Sequence, residues 1–178
     1  MLRKLLTLSC ILAATCAMAQ KKSDKPVDGD YTKIGAPMPR LNFQLYKDTV
    51  KENNSEYHYL TNKDVDNDAN LLIMMFNPTC SHCEDETDRL EKNIFLFKKT
   101  NLLLMATPVM RPQLRDFVNR LHLDEYPSIH VGSDSSDFIG KVYLYSSLPQ
   151  INIYDHDRKL LRTFNGEVAI DTLKKYIE

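Results

Sequence analysis

The chain has 178 residues, of which 43% are hydrophobic and 26% are charged, a composition typical of a globular protein with an ordinary apolar core. Its 23 basic and 24 acidic residues nearly balance and form no basic stripe, so nothing in the sequence indicates nucleic-acid binding. The five glycines are not spaced as a P-loop or a dinucleotide-binding turn requires, which excludes nucleotide chemistry by those two routes.

Residues 1–19 have the pattern of a secretory signal peptide. Two basic residues precede the apolar stretch 5–17, and Ala17-Met18-Ala19 supplies a cleavage site of small residues. The stretch is shorter than the roughly 20 apolar residues of a membrane span, so we expect cleavage and export rather than anchoring. In an alternative interpretation Cys16 becomes a lipidated N-terminus, although Thr15 is large for the position before such a cysteine.

Cleavage after residue 19 leaves a mature chain with 21 basic and 24 acidic residues, and with Cys80 and Cys83 as its two cysteines. Residues 20–33 are mostly polar and are expected to form a flexible tether. Residues 34–178 show no internal repeat and no second boundary, and we expect them to form one domain.

A pair of strands is expected at the start of this domain. Apolar and polar residues alternate over 41–46, which indicates a half-buried strand, and 57–60 is expected to pair with it. The continuous apolar run 71–76 is typical of a central strand buried on both faces. A helix is predicted over 81–99, and its buried face is expected to hold residues at helical spacing, namely Cys83, Thr87, Leu90, Ile94 and Phe97.

The middle of the domain is expected to continue this alternation of strands and helices. A buried strand is predicted over 101–110 and a helix after Pro112. A short strand at 129–131 and a short helix or loop at 138–145 follow.

A hairpin of two strands, 150–154 and 160–164, is predicted next, and Asp171 is expected to cap a final helix. Strands alternating with helices and followed by a hairpin predict an α/β/α three-layer sandwich around a mixed sheet, with the early strand pair as an N-terminal β extension. This order alone does not choose among folds of that class.

Cys80-Ser81-His82-Cys83 lies where a buried strand gives way to a helix. Cys80 is at the helix N-terminus, where unpaired N–H groups and the macrodipole favour an anion, so its thiolate is expected to be the nucleophile. Cys83, one turn further on, is placed to attack the mixed disulfide and release the substrate. A protonated His82 would add positive charge beside the Cys80 thiolate, stabilise the reduced form and make the disulfide more oxidising.

Other interpretations of the cysteine pair are weaker. A structural disulfide that closes so short a loop constrains the unfolded chain very little. Zinc needs four ligands, and no second cluster of cysteines or histidines accompanies this one. Two inert thiols are not expected in an oxidising compartment. The context of strand, C-x-x-C and helix therefore favours a redox pair that uses no metal and no organic cofactor.

Three segments carry a resemblance to a known family. Ile34-Gly35-Ala36-Pro37-Met38-Pro39 is similar to an I-G-x-P-x-P opening, 71–76 with Cys80-Ser81-His82-Cys83 to a strand and active-site helix, and Leu148-Pro149 to a segment with a cis-proline. With these segments, residues 34–178 resemble the TlpA/ResA-like exported thiol–disulfide oxidoreductases, which have a thioredoxin fold and are related to the AhpC/TSA proteins.

The resemblance implies roles for further residues. Pro149 would be cis and would border the substrate cleft together with Leu148, Thr79 and Ser81, leaving the backbone before the proline free to pair with an extended substrate segment. Glu86, three residues after the second cysteine, would take or return the proton of that thiol. A trans proline that opens a strand, and a solvated acidic helix start that includes Glu86, remain the alternatives.

The chain departs from the family pattern in several places. Thr79 stands where the family usually has Trp, and Ser81-His82 stands where the family has a dipeptide that contains proline. His at the position of His82 resembles the DsbA-type oxidants. The buried acid that thioredoxins carry six residues before the first cysteine is here Met74. A peroxidatic cysteine needs Thr or Ser three residues before it, and Asn77 is found there, so peroxidase activity is disfavoured.

The sequence therefore predicts a periplasmic or otherwise extracytoplasmic thiol–disulfide oxidoreductase that reduces protein disulfides. In this interpretation Cys80 attacks, Cys83 resolves, and a membrane-bound dithiol donor renews the electrons, as in the resembled family. Two alternatives stay open: a DsbA-like oxidase or isomerase, favoured by His82, and a thioredoxin-fold binding module without turnover, favoured by Thr79.

Overall fold

The computed structural model describes residues 29–177, except for the positions 47–48, 52–53, 57, 66–67, 135, 137 and 145. The predicted signal peptide, Cys16 and most of the predicted tether lie outside the described residues. Within the described part of the chain, no helix has both the length and the apolar character needed to cross a bilayer.

Seven of the nine strands in the described part of the chain form one mixed sheet. In chain order the strands are β1 (Asn42–Leu45), β2 (Thr49–Lys51), β3 (Asn54–Glu56), β4 (Tyr59–Thr61), β5 (Leu71–Met75), β6 (Asn101–Ala106), β7 (Ile129–Asp134), β8 (Gln150–Tyr154) and β9 (Leu160–Asn165). The large sheet has the order β4-β1-β7-β6-β5-β8-β9, while β2 and β3 form a separate hairpin. β5, β6 and β7 are parallel, and β8, β9, β1 and β4 join by antiparallel pairing.

Four α-helices cover the two faces of the sheet. They are α1 (Ser81–Lys92), α2 (Leu114–Arg120), α3 (Phe138–Val142) and α4 (Ile170–Leu173). Buried residues of α1, α2 and α4 pack into one apolar cluster, whereas α3 belongs to a second cluster together with residues before and within β1. This arrangement confirms the predicted three-layer sandwich.

The central strand β5 shows why its sequence has no polar position. Leu72 and Met74 face the cluster that contains α1, and Leu71, Ile73 and Met75 face the cluster that contains α3. All five are at most 2% exposed, and each such side chain contributes about 1.5–3 kcal/mol of hydrophobic burial. The strand therefore fixes the residues that follow it at one edge of a rigid sheet.

Several predicted boundaries need correction. The helix predicted to reach residue 99 ends at Lys92, because the Asn93 side chain donates to the carbonyl of Arg89 at 2.9 Å and leaves the helical conformation, with φ −114° and ψ 17°. Ile94 and Phe97 still pack against the predicted core. The strand predicted over 101–110 ends at Ala106, since a 3-10 helix begins at Pro108 and proline cannot donate to a sheet.

The end of the domain also differs from expectation. Asp171 is not the cap of α4, because Ala169 occupies that position and the Asp171 carboxylate instead accepts from Lys174 Nζ at 2.8 Å. The β2–β3 hairpin has no counterpart among the predicted elements. The pairing expected for 57–60 is confirmed from Tyr59 onward, where Leu60 lies opposite Phe43.

Gly132 and Arg158 each occupy a backbone position that restricts the residue type. A Cβ atom on Gly132 of β7 would lie 2.2 Å from the carbonyl oxygen of Gln44, so only glycine permits this approach of β1 to β7. Arg158, at the turn between β8 and β9, has a φ of 58°. Its buried guanidinium donates to the backbone carbonyls of Val65, Ala69 and Asp155 and so ties the loop before β5 to the hairpin.

Residues 35–37 pair with residues 159–160, where β9 begins. This pairing joins the N-terminal part of the domain to the β8–β9 hairpin. Gly35 N–H donates to the Leu160 carbonyl at 2.7 Å, and Leu160 N–H donates to the Ala36 carbonyl at 2.8 Å. Pro37 forms a bridge with Lys159. Tyr154, at the same end of the hairpin, lies opposite Leu71. Leu71 is the first residue of β5, so this end of the sheet is remote from Cys80, which follows the other end of β5.

Candidate functional site

A turn stabilised by Asn77 presents the first cysteine. The Asn77 Oδ1 atom accepts from both the backbone N–H and the hydroxyl of Thr79, each at 2.9 Å, and its carbonyl accepts from Cys80 N–H at 3.0 Å. The Pro78 carbonyl accepts from Arg120 Nη2 of α2 at 3.2 Å. This turn, of the kind that Asn favours, fixes where the strand ends and α1 begins.

Cys80 is the N-cap residue of α1, with extended φ −96° and ψ 122°. Its carbonyl accepts from the N–H groups of Cys83 and Glu84, both at 3.1 Å, whereas its side chain makes no capping hydrogen bond. The residue is partly exposed. Cys80 thus lies at the start of the helix, the position expected from the sequence.

Cys83 lies fully inside the molecule, with 0% of its surface exposed. The side chain of Cys80 and the backbone of Asn77 are its polar neighbours. Burial raises the pKa of the Cys83 thiol to about 12, and Cys80 acts in the same direction, while the backbone of Asn77 opposes them. The second cysteine therefore needs a nearby proton acceptor before it can act as a nucleophile at neutral pH.

Glu86 is a buried carboxylic acid on the same helix face as Cys83, one turn further on. Its Oε2 atom accepts from Val168 N–H at 3.0 Å and from Arg89 Nη1, while Oε1 is buried and has no hydrogen-bond partner among the described residues. Burial is the largest influence and raises the pKa of Glu86. Because Glu86 is 0% exposed, the alternative of a solvated acidic helix start does not describe this residue.

His82 lies on the surface, and 69% of its side chain is exposed. Its Nδ1 atom forms a 2.7 Å hydrogen bond with Glu167 Oε1, a residue that the sequence analysis did not identify. Hydrogen bonds from Arg89 and then from His82 lower the pKa of Glu167. The described partner of His82 is thus a carboxylate of the segment between β9 and α4.

Arg89 is the second residue that the sequence analysis missed. Its Nη1 atom contacts Glu86 and the Val168 carbonyl, the latter at 3.3 Å, and its Nη2 atom donates to Glu167 at 2.9 Å. The spacing of Glu86 and Arg89, three residues apart on a helix, is a signal that the sequence does contain. Glu167 carries no such signal, because 78 residues separate it from Arg89.

The Leu148–Pro149 peptide bond is cis, as the resemblance implied. Gln150, the next residue, lies opposite Met75 in the sheet, so Pro149 is at the same edge as the residues that follow β5. The Gln150 side chain donates to the Val142 carbonyl and accepts from Leu144 N–H, both at 2.8 Å. These bonds anchor the chain on either side of the proline.

Seven of the eight predicted site residues fall into two groups, and the eighth, His82, lies on the surface outside them. Thr79, Cys80 and Ser81, together with Leu148 and Pro149, lie at the edge where β5 ends and β8 begins. Thr79 and Ser81 are exposed, and Leu148 is partly buried. The second group, which consists of Cys83 and Glu86, is buried behind them in α1.

No family model matches the sequence, and no curated protein matches it either. Solved structures do resemble the fold. A thiol-disulfide oxidoreductase from Bacteroides fragilis is 18% identical, with a TM-score of 0.58 over 78% of this chain and 98% of that one. The thioredoxin domain of a thiol-disulfide oxidoreductase from Bacteroides vulgatus is 16% identical, with a TM-score of 0.59 over 82% and 99% of the two chains.

A secreted Mycobacterium tuberculosis disulfide oxidoreductase homologous to Escherichia coli DsbE is also similar. It is 13% identical, with a TM-score of 0.56 over 78% of this chain and 93% of that one. At these identities the comparison establishes the fold, which is thioredoxin-like, as the sequence resemblance implied.

Proposed function

We propose that the chain is an exported thiol–disulfide oxidoreductase that reduces disulfides of protein substrates. The observation that carries this proposal is the placement of a partly exposed cysteine at a helix N-terminus, Cys80, and a fully buried cysteine one turn further on, Cys83. Two further features support it: the signal-peptide pattern at the N-terminus and the structural likeness to proteins named as thiol-disulfide oxidoreductases.

The reaction transfers two electrons from the cysteine pair to the substrate. The Cys80 thiolate attacks one sulfur of the substrate disulfide, so that a mixed disulfide forms and one substrate thiolate leaves. The Cys83 thiolate then attacks the Cys80 sulfur, which releases the second substrate thiolate and leaves a Cys80–Cys83 disulfide. A dithiol donor, in this proposal a membrane-bound one, returns the protein to its reduced form.

Glu86 supplies the proton transfer that the second step needs. Because burial holds Cys83 as a thiol, its proton must pass to an acceptor as it attacks. Glu86 lies one helical turn away, is equally buried, and has one carboxylate oxygen for which the described part of the chain offers no hydrogen-bond partner. We assign it the role of acceptor during resolution and of donor when the disulfide is reduced again.

The edge that carries Thr79, Ser81, Leu148 and Pro149 is the proposed substrate cleft. An extended substrate segment would pair with the backbone before Pro149, next to the exposed Cys80. Thr79 replaces a large aromatic residue at this edge, so we expect recognition to rely on backbone pairing rather than on a flat aromatic surface.

Reduction of insulin disulfides by residues 20–178, with dithiothreitol as the electron source, tests the activity. Cys80→Ser abolishes the reaction, and Cys83→Ser traps a mixed disulfide that non-reducing gel electrophoresis and mass spectrometry detect. A Cys80→Ser protein with full activity would refute the mechanism. If the cysteine pair does not undergo exchange with any disulfide, the result would favour a binding module.

The reduction potential of the cysteine pair decides the direction of electron flow. Equilibration against thiol buffers that gives a value near thioredoxin's, about −270 mV, supports a reductase. A value of about −120 to −180 mV would place the protein with oxidants and isomerases. In that event His82→Pro should lower the potential markedly.

A further inference from the structure

We infer that Arg89 and Glu167 are positioning residues that connect the exposed His82 to the buried Glu86 and so set the pH range in which Glu86 can accept the proton of Cys83. This inference rests on the proposed function, because it assumes that Glu86 receives that proton. It assigns a role to two residues that neither the C-x-x-C pattern nor the family resemblance identifies.

An unbroken line of polar contacts supports the inference. His82 Nδ1 is 2.7 Å from Glu167 Oε1, and Glu167 Oε2 accepts from Arg89 Nη2 at 2.9 Å. Arg89 Nη1 then contacts Glu86 Oε2. The line begins between the two cysteines in the sequence and ends one turn beyond the second one. It also joins α1 to the segment before α4.

The charges along this line oppose one another. Two carboxylates, Glu86 and Glu167, share the single guanidinium of Arg89. Arg89 and the Val168 N–H favour the anionic form of Glu86, whereas its burial and the charge of Glu167 disfavour that form. Asp85 is the other charged group nearby, since its carboxylate lies within 4.8 Å of the polar atoms of His82 and Glu167.

The two bridging residues should therefore have opposite effects. Without the Arg89 cation, Glu86 keeps its proton to a higher pH and cannot accept another one there. Without the negative charge of Glu167, Arg89 forms an ion pair with Glu86 alone, and Glu86 loses its proton at a lower pH. A residue that only supports the fold would not give shifts of opposite sign.

Reaction of the reduced protein with dithiobisnitrobenzoate isolates the step concerned. Attack by Cys80 releases one nitrothiobenzoate anion and leaves a mixed disulfide, and attack by Cys83 on that disulfide releases the second anion. Stopped-flow absorbance separates the two phases. The pH dependence of the second phase then reports resolution without a protein substrate.

We expect Arg89→Met to move the midpoint of this pH profile upward by about one to two pH units. Glu167→Gln should move it downward by about half a unit. Arg89→Lys, which keeps the charge, should show little of the upward shift expected for Arg89→Met. Asp88→Asn is the matched control, because Asp88 is a carboxylate of similar exposure on α1 that pairs with Lys92 instead, and its profile should stay in place.

Glu86→Gln separates the inference from the function on which it rests. If Glu86→Gln slows resolution and abolishes both shifts in double variants, the inference is supported. If Glu86→Gln slows resolution but the shifts have the same sign or persist in its presence, the inference is overturned and the role of Glu86 stands. If Glu86→Gln resolves as fast as the wild type at every pH, the role of Glu86 and the inference both fail. Should Arg89→Met not fold, Glu167→Gln, whose substituted side chain is exposed, still tests the inference: a downward shift that disappears with Glu86→Gln supports it, and no shift or a shift that persists overturns it.

Discussion

Burial of Cys83 predicts a large difference in reactivity towards an alkylating reagent. We consider the Cys80→Ser variant, in which Cys83 is the sole cysteine of the mature chain. Burial, the largest cause of the raised pKa of Cys83, is unchanged by this substitution. Iodoacetamide should therefore react with the folded variant far more slowly than with an ordinary exposed thiol.

The wild-type pKa of about 12 gives an upper estimate of the magnitude, because the smaller contribution of Cys80 is lost in this variant. At pH 8 a pKa of about 12 leaves about one Cys83 in 10,000 as a thiolate, against about one in four for a thiol with an ordinary pKa of about 8.5. The greater nucleophilicity of the more basic thiolate offsets about 40-fold of this roughly 2,000-fold difference. The raised pKa should thus slow alkylation by up to about 50-fold, and the complete burial of the side chain slows it further.

Mass spectrometry of samples quenched over time measures both rates. The folded Cys80→Ser protein is compared with the same protein in concentrated guanidinium chloride, and Cys83→Ser reports Cys80 under identical conditions. In the folded protein the rate at Cys83 should rise about tenfold per pH unit between pH 7 and 10. Equal rates in the folded and unfolded states, or a rate independent of pH, would refute the reasoning.

Three further predictions concern stability, each measured by urea denaturation. Because the pKa of Glu86 is raised in the folded state, its contribution to the free energy of unfolding is fully present below the ordinary carboxyl pKa and is lost as the pH rises through the folded value. Glu86→Gln should therefore flatten the decline in stability between pH 4 and 8. A steeper decline would contradict this prediction. Gly132→Ala should destabilise by about 1–3 kcal/mol or more, because its Cβ meets a backbone oxygen at 2.2 Å, whereas Gly140→Ala, in α3 with no atom within 4 Å of its Cβ, should be neutral or stabilise by up to about 1 kcal/mol. Arg158→Met should cost about 1–3 kcal/mol, because it leaves buried carbonyls without a donor; an unchanged midpoint would mean that water replaces the guanidinium.

The sequence predicted best those elements whose residues are buried on both faces or carry sharp punctuation. The continuous apolar run 71–76 indicates a central strand. The hairpin at 150–164 begins after a proline and has a polar turn between its two strands. The end of α1 was not predictable from periodicity, since Ile94 and Phe97 continue the apolar pattern after the helix has ended. Asp171 has the chemistry of a cap but lies two residues too late.

The candidate site was predictable only where its residues are close together in the chain. Cys80, Cys83 and Glu86 occupy two turns of one helix, so their spacing alone places them together. Arg89 and Glu167 look like ordinary solvated charges in the sequence, and their meeting depends on the segment before α4 returning to α1. Long-range ion pairs of this kind leave no periodic pattern from which they could be identified.

The pairing of residues 35–38 with the β8–β9 hairpin determines where a surface anchor would join the domain. That pairing lies at the edge of the sheet remote from Cys80. A lipid on Cys16 would therefore be connected to the domain at the end opposite to the cysteine pair. Residues 16–28, if fully extended, would span at most about 45 Å, and this distance would define how far from the membrane the domain could meet large folded substrates.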